Sequence, residues 1–126
     1  KVAATYDLRA VAYDRHAIED LTVILDGEGV KLPLEPWGQG YVSMGPAIDA
    51  FEALLLEGEL RHAMHPVLRW NASNLLFDTD AAGNRKPNKA RSIDRIDGMA
   101  ALIMACGIAA RDSGPKTYEG AGLLWV

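Results

Sequence analysis

Two carboxylates stand where this sequence could most readily build a reactive site. Asp14 follows the short apolar run Arg9-Ala-Val-Ala-Tyr13, and Asp97 opens an apolar stretch three residues after a further acid, Asp94. Brought together, Asp14 and Asp97 would offer the hard oxygen ligands that Mg²⁺ or Mn²⁺ prefers. A pair of such ions hydrolyses phosphodiesters by activating a water and stabilising the departing oxygen of an in-line displacement. Each acid also has a structural reading. An aspartate at a helix entrance commonly caps the helix or answers its dipole, which is the plain account of Asp97. Asp14 belongs to a setting, the carboxyl end of a strand, where sites form in open α/β sheets.

Basic residues cluster between positions 85 and 95, where Arg85, Lys86, Lys89, Arg91 and Arg95 accompany one acid, Asp94. The cluster is either a solvated loop or a strip that contacts phosphates. His62 and His65 do not make a zinc site, because two further ligands are needed and Pro66 interrupts the helix on which the pair would converge. They read as polar anchors beneath a loop. Trp37, Trp70 and Trp125 are dispersed rather than interleaved with basic residues, which favours core packing over base stacking. Gly38-Gln39-Gly40 lacks the strand, helix and lysine of a phosphate loop, so nucleotide binding is not expected. Cys106 is the single cysteine and lies in an apolar stretch, the setting of a buried, inert thiol.

Hydrophobic spacing supplies the elements that must position these groups. The run from Arg9 to Tyr13 reads as a buried strand delivering Asp14. Ile18, Leu21 and Leu25 recur at helical spacing until Asp26-Gly27 and Gly29 stop them, and the Gly- and Pro-rich text up to Gly40 reads as connection around a short strand. Ile48, Phe51, Leu54 and Leu55 form the stripe of an amphipathic helix that Gly58 closes, with Pro46 expected in its first turn. Pro66 opens another short helix within residues 65–75. Phe77-Asp-Thr-Asp80 and Arg85-Lys86-Pro87 read as a hairpin turning at Gly83-Asn84. From Ile96 to Arg111 the chain is apolar or small throughout, the pattern of a helix buried on most sides. Residues 113–126, with Gly114-Pro115, Gly120 and Gly122, are expected to form an irregular tail.

The 126 residues, 49% hydrophobic and 24% charged, suit one globular domain with a real core. A net charge of −4 argues against nucleic-acid binding by bulk electrostatics, although the acids concentrate between Glu19 and Glu59, apart from the basic strip. No apolar run approaches the roughly 18 residues of a membrane span. Residues 1–8 lack a signal-peptide pattern, so a soluble protein of the cell interior is expected.

Taken in order, Ala12-Tyr13-Asp14-Arg15, Gly38-Gln39-Gly40, Ser43-Met44-Gly45-Pro46-Ala47, Leu60-Arg61-His62, His65-Pro66-Val67-Leu68-Arg69-Trp70 and Asn74 form a series. It continues with Asp80, Gly83-Asn84-Arg85-Lys86-Pro87, Lys89, Arg91-Ser92 and Arg95-Ile96-Asp97-Gly98-Met99-Ala100-Ala101-Leu102. This series resembles the signatures of the nuclease domain of tailed-phage terminase large subunits, over residues 5–110. The resemblance implies an α/β fold of the RNase H-like kind, a mixed sheet flanked by helices, occupying residues 1–112. It implies a cluster of acids binding two Mg²⁺ or Mn²⁺ ions and cutting concatemeric double-stranded DNA without reading its sequence. Asp14 matches the family's acid on the middle strand, and Asp97 the acid on the last helix. Asp94 falls at the site's edge. Lys89, with Arg85, Lys86, Arg91 and Arg95, resembles the segment beside the cleaved strand. His16 stands where many relatives carry tryptophan.

In that family the first metal-binding aspartate lies on a hairpin that precedes the equivalent of Lys1. The site, the sheet and the cutting activity are therefore expected to be incomplete in this sequence, and the ATPase half of such proteins is not represented. Double-stranded DNA, a terminase small subunit and a portal are the implied partners, and the bacterial host's cytoplasm the implied location, with no membrane association. Self-association is expected to cover the sheet edge left open. A different class of function, a non-catalytic module docking on portal or small subunit, would show an exposed apolar patch and dispersed carboxylates. Resolvase chemistry on the same fold is opposed by the order of motifs.

Overall fold

The computed structural model describes residues 5–15 and 18–112. His16, the tail 113–126 and with it Trp125 lie outside the described residues. The elements run β1 (Val11–Asp14), α1 (Glu19–Gly27), β2 (Leu34–Trp37), α2 (Tyr41–Leu56), α3 (Pro66–Asn74), β3 (Phe77–Thr79), β4 (Arg85–Pro87) and α4 (Asp97–Asp112). The expected α/β class is found, built on two small ladders. β1 and β2 pair in parallel across the α1 crossover, in a register that sets Asp14 beside Trp37. β3 and β4 form an antiparallel hairpin with Asp78 opposite Lys86. No ladder joins the two pairs among the described residues.

The core lies between α2 and α4. Met44, Ala47, Ile48 and Phe51 on one helix meet Met99, Ile103, Met104, Cys106 and Ile108 on the other, with Trp37 from the end of β2 filling one end. Burying a side chain of the size of Met44, Ile48 or Ile103 contributes about 1.5–3 kcal/mol. The helices approach closely because Gly107 faces Ala47 and the Trp37 ring. A Cβ at Gly107 would fall 2.6 Å from the Ala47 Cβ and 2.8 Å from two ring carbons. α4 also packs on β1 and α3, and α2 packs on β4. Both ladders and α3 are thereby fastened to one helical pair.

Four expectations change. α2 begins at Tyr41, so Pro46 stands inside the helix rather than in its first turn. A proline there removes one helical hydrogen bond from the carbonyl of Val42. Val42 is 88% exposed, so water can take that partner's place. Trp70 is not a core residue: it is 42% exposed on the outer side of α3. α1 forms where its spacing predicts, yet buries none of its residues and leaves Leu21, Val23 and Ile24 exposed. α4 buries one broad face, between Met99 and Ile108, rather than most of its sides, and leaves exposed Ala101, Ala105 and Ala109. They line a groove of about 660 Å³ together with Leu8, Ala10 and Ala12.

Candidate functional site

Asp14 ends β1, and Gln39 lies just past the end of the neighbouring β2. The Gln39 amide donates to the Met104 sulfur at 3.2 Å, which ties this end of the ladder to α4. Across from them the hairpin contributes Asp78, Lys86 and Pro87, followed by Asn88 and Lys89, and together these residues line a pocket of about 280 Å³. Asp78, which the sequence pattern does not single out, thereby joins Asp14 as a candidate. Side chains alternate across a strand. Phe77 packs against the core, so its neighbour Asp78 faces the other way. The Asp78 side chain is 27% exposed, and the Arg91 guanidinium lies 3.5 Å from it.

Asp97 is delivered by a different device. Asn71, buried on α3, accepts a hydrogen bond from the Gly98 amide at 2.8 Å and donates to the Arg95 carbonyl at 3.0 Å. One carboxamide thus caps the entrance of α4 and fixes the turn before it. Gly98 is what permits the approach, because a Cβ there would meet the Asn71 oxygen at 2.7 Å. The Asp97 carboxylate remains 61% exposed and pairs with the Lys89 ammonium at 2.9 Å. That hydrogen bond and charge, with a smaller effect of Arg95, hold its carboxyl below the usual carboxylate range.

Asp97 and Asp94 line a second pocket, of about 430 Å³, together with Ser92, Arg95, Ile96 and Lys89. Lys89 is the common wall, since it also lines the pocket of Asp14 and Asp78. Asp94 itself is exposed and accepts from the Arg95 amide at 2.8 Å. Asp14 and Asp97, expected to converge, therefore sit in adjoining pockets, with Asp78 beside Asp14. The donor chemistry of these carboxylates fits Mg²⁺ or Mn²⁺. No group of three or more His, Cys, Asp or Glu side chains is arranged to hold a metal among the described residues.

The basic strip divides on inspection of its partners. Arg85 turns inward, its guanidinium bound at 2.7 Å to each Glu52 carboxylate oxygen and at 2.8 Å to Asp49. These hydrogen bonds raise its affinity for its proton and fasten the hairpin to α2. Arg85 therefore has a structural placement, with three of its N–H groups engaged by these carboxylates. Lys86 lies 4.7 Å from the Tyr41 ring, at the rim of the Asp14 pocket. Lys89, Arg91 and Arg95 are exposed.

His62 and His65 are also exposed, not beneath a loop as expected. The Nδ1 of His62 accepts from the Met64 amide, and that of His65 caps α3 by accepting from Val67. Cys106 is buried, which pushes its thiol up.

The model of the terminase large subunit endonuclease domain matches residues 1–113. The chain belongs to this family. Over 120 residues it is 43% identical to the terminase large subunit of Enterobacteria phage HK97, which covers 95% of this chain and 23% of that protein. Protein YmfN of Escherichia coli strain K12 is 33% identical over 73 residues, covering 56% of this chain and 16% of its own. The crystal structure of the HK97 large terminase superposes with a TM-score of 0.80 at 45% identity, over 85% of this chain and 22% of that one. The mixed α/β architecture is thus that of a solved large terminase. This terminase-family chain spans less than a quarter of the length of each of these relatives.

Proposed function

We propose that this chain supplies the carboxylates and basic loop of a metal-dependent endonuclease site in a phage packaging terminase, which cuts concatemeric double-stranded DNA in the bacterial host's cytoplasm. The observation that carries the reading is the shared pocket of Asp14 and Asp78, walled by Lys89 from the pocket of Asp97. Asp14, Asp78 and Asp97 would hold Mg²⁺ or Mn²⁺, with Asp94 at the margin. Bound there, paired divalent ions would activate water and stabilise the departing oxygen. Lys86, Lys89, Arg91 and Arg95 would position the duplex through its phosphates, contacts that orient without reading sequence. The small subunit and portal belong to the same proposal, as partners of the whole terminase.

Calorimetric titration of Mn²⁺, run beside nicking of a supercoiled plasmid, tests it. Binding is expected in the wild type and lost in Asp14→Asn, Asp78→Asn and Asp97→Asn. Binding that survives all three substitutions would remove these carboxylates from the site.

One observation favours a second reading, a docking module. α1 buries none of its residues and exposes Leu21, Val23 and Ile24. On that reading Val23→Asp with Ile24→Asp abolishes binding to purified portal or small subunit and leaves Mn²⁺ binding unchanged. The pairing of Asp14 with Asp78 in one pocket runs against the dispersed carboxylates that a purely docking role expects.

A further inference from the structure

The loop that links β4 to α4 carries three basic residues, Lys89, Arg91 and Arg95, and the first two rest on carboxylates of the candidate site. Lys89 reaches Asp97 at 2.9 Å, and Arg91 reaches Asp78 at 3.5 Å. The two acids belong to different elements, the entrance of α4 and the strand β3. One short segment therefore touches both sides of the site.

Its backbone is braced while its cationic side chains are not. The Asn88 amide donates to the Leu76 carbonyl at 2.9 Å, and the Asn88 side chain accepts from the Arg91 amide at 2.9 Å. Ser92 donates to the Asn88 carbonyl from both its amide, at 3.1 Å, and its hydroxyl, at 2.6 Å. Asn88 is the pivot of a fixed turn from which two long, exposed side chains extend. Ion pairs of this exposure are weak and exchangeable. The same two pairs occupy carboxylates that a divalent cation would need.

We propose that Lys89 and Arg91 form an internal counter-charge latch. Without a divalent cation they sit on Asp97 and Asp78; when one binds, like-charge repulsion releases them toward the phosphates of a duplex. Cation binding and DNA binding are then positively coupled, each strengthening the other by the same factor. This rests on the metal-site reading above and adds the regulation of that site.

The test uses Mn²⁺ calorimetry and fluorescence anisotropy of a short labelled duplex with and without Ca²⁺, on the wild type and on Lys89→Gln/Arg91→Gln. Both side chains are exposed, and circular dichroism verifies that the variant keeps its fold. The latch expects the double variant to bind Mn²⁺ more tightly, by several-fold to about tenfold. It also expects the variant to lose the Ca²⁺-induced gain in DNA affinity that the wild type shows.

Equal or weaker Mn²⁺ affinity in the double variant, with Asp14→Asn abolishing binding in both backgrounds, overturns the latch and leaves the metal site standing. A Ca²⁺-induced gain retained without Lys89 and Arg91 overturns it as well. No binding by any form removes the metal site, and the latch with it.

Discussion

Asn71 shows how a residue with no chemistry of its own sets the position of one that has it. Its carboxamide holds the Gly98 amide and the Arg95 carbonyl on either side of Asp97. Asn71→Ala strands both groups in a partly buried setting, so thermal or urea unfolding should show a loss of about 1–3 kcal/mol. Mn²⁺ affinity should fall with it. Asp80 makes a second prediction. Its carboxylate accepts from the Asn84 side chain and from the Ala82 and Asn84 amides, which hold its pKa below the ordinary 3.8. A depressed folded pKa stabilises the turn above the unfolded value and loses that stabilisation as pH falls through the folded one. Hairpin amide signals followed by NMR should therefore broaden or shift below about pH 4, and Asp80→Asn should remove that acid limb.

The positions of Asp14 and Asp97 in the fold were legible because each stands at the end of an element that hydrophobic spacing marks. Asp78 was not, because a strand of three residues shows no period to say which way its middle residue points. Arg85 was placed in the basic strip because a charge run does not reveal that its partners, Asp49 and Glu52, lie on an earlier helix.

At the level of elements, the α2 and α4 pair bears most of the structure, and its closeness depends on Gly107. Gly107→Ala would press a methyl into Ala47 and the Trp37 ring, a fixed partner rather than a flexible tip. Overpacking of this kind costs about 1–3 kcal/mol, which a calorimetric melt would register as a lower Tm. The apolar stripe of α2 and the apolar run of α4 were legible in the sequence, but their pairing with each other was not. The phase of α3 did not come through, since Pro66 sets where that helix starts and so turns Trp70 outward. Pro46 misled for a related reason. Proline is common in first turns, but an exposed face with a hydrated carbonyl tolerates it further in.

On the scale of the molecule, the β1 ladder has a neighbour on one side only among the described residues. Beside the same strand runs the groove between Leu8, Ala10 and Ala12 and the alanines of α4. An unpaired strand edge beside an apolar groove is a template for another strand. Sedimentation velocity should show this chain self-associating as concentration rises, and Ala105→Glu should return it to monomer. A single monomeric species at high concentration would overturn that expectation. The α/β class was legible from the alternation of elements, whereas no single mixed sheet joins the strands among the described residues. The described residues form two ladders because each has its own local closure, a crossover for β1 and β2 and a tight turn for β3 and β4.

That division has a mechanical consequence. Asp14 rides on one ladder and Asp78 on the other, and among the described residues no strand pairing spans the distance between them. Their separation is set as the opening of a caliper is set, by the joint on which its arms are mounted. Here the joint is the α2 and α4 contact together with the Arg85 clasp on Glu52 and Asp49. A change of one methyl in the core is therefore felt as a change in jaw width at the carboxylates, with both ladders intact.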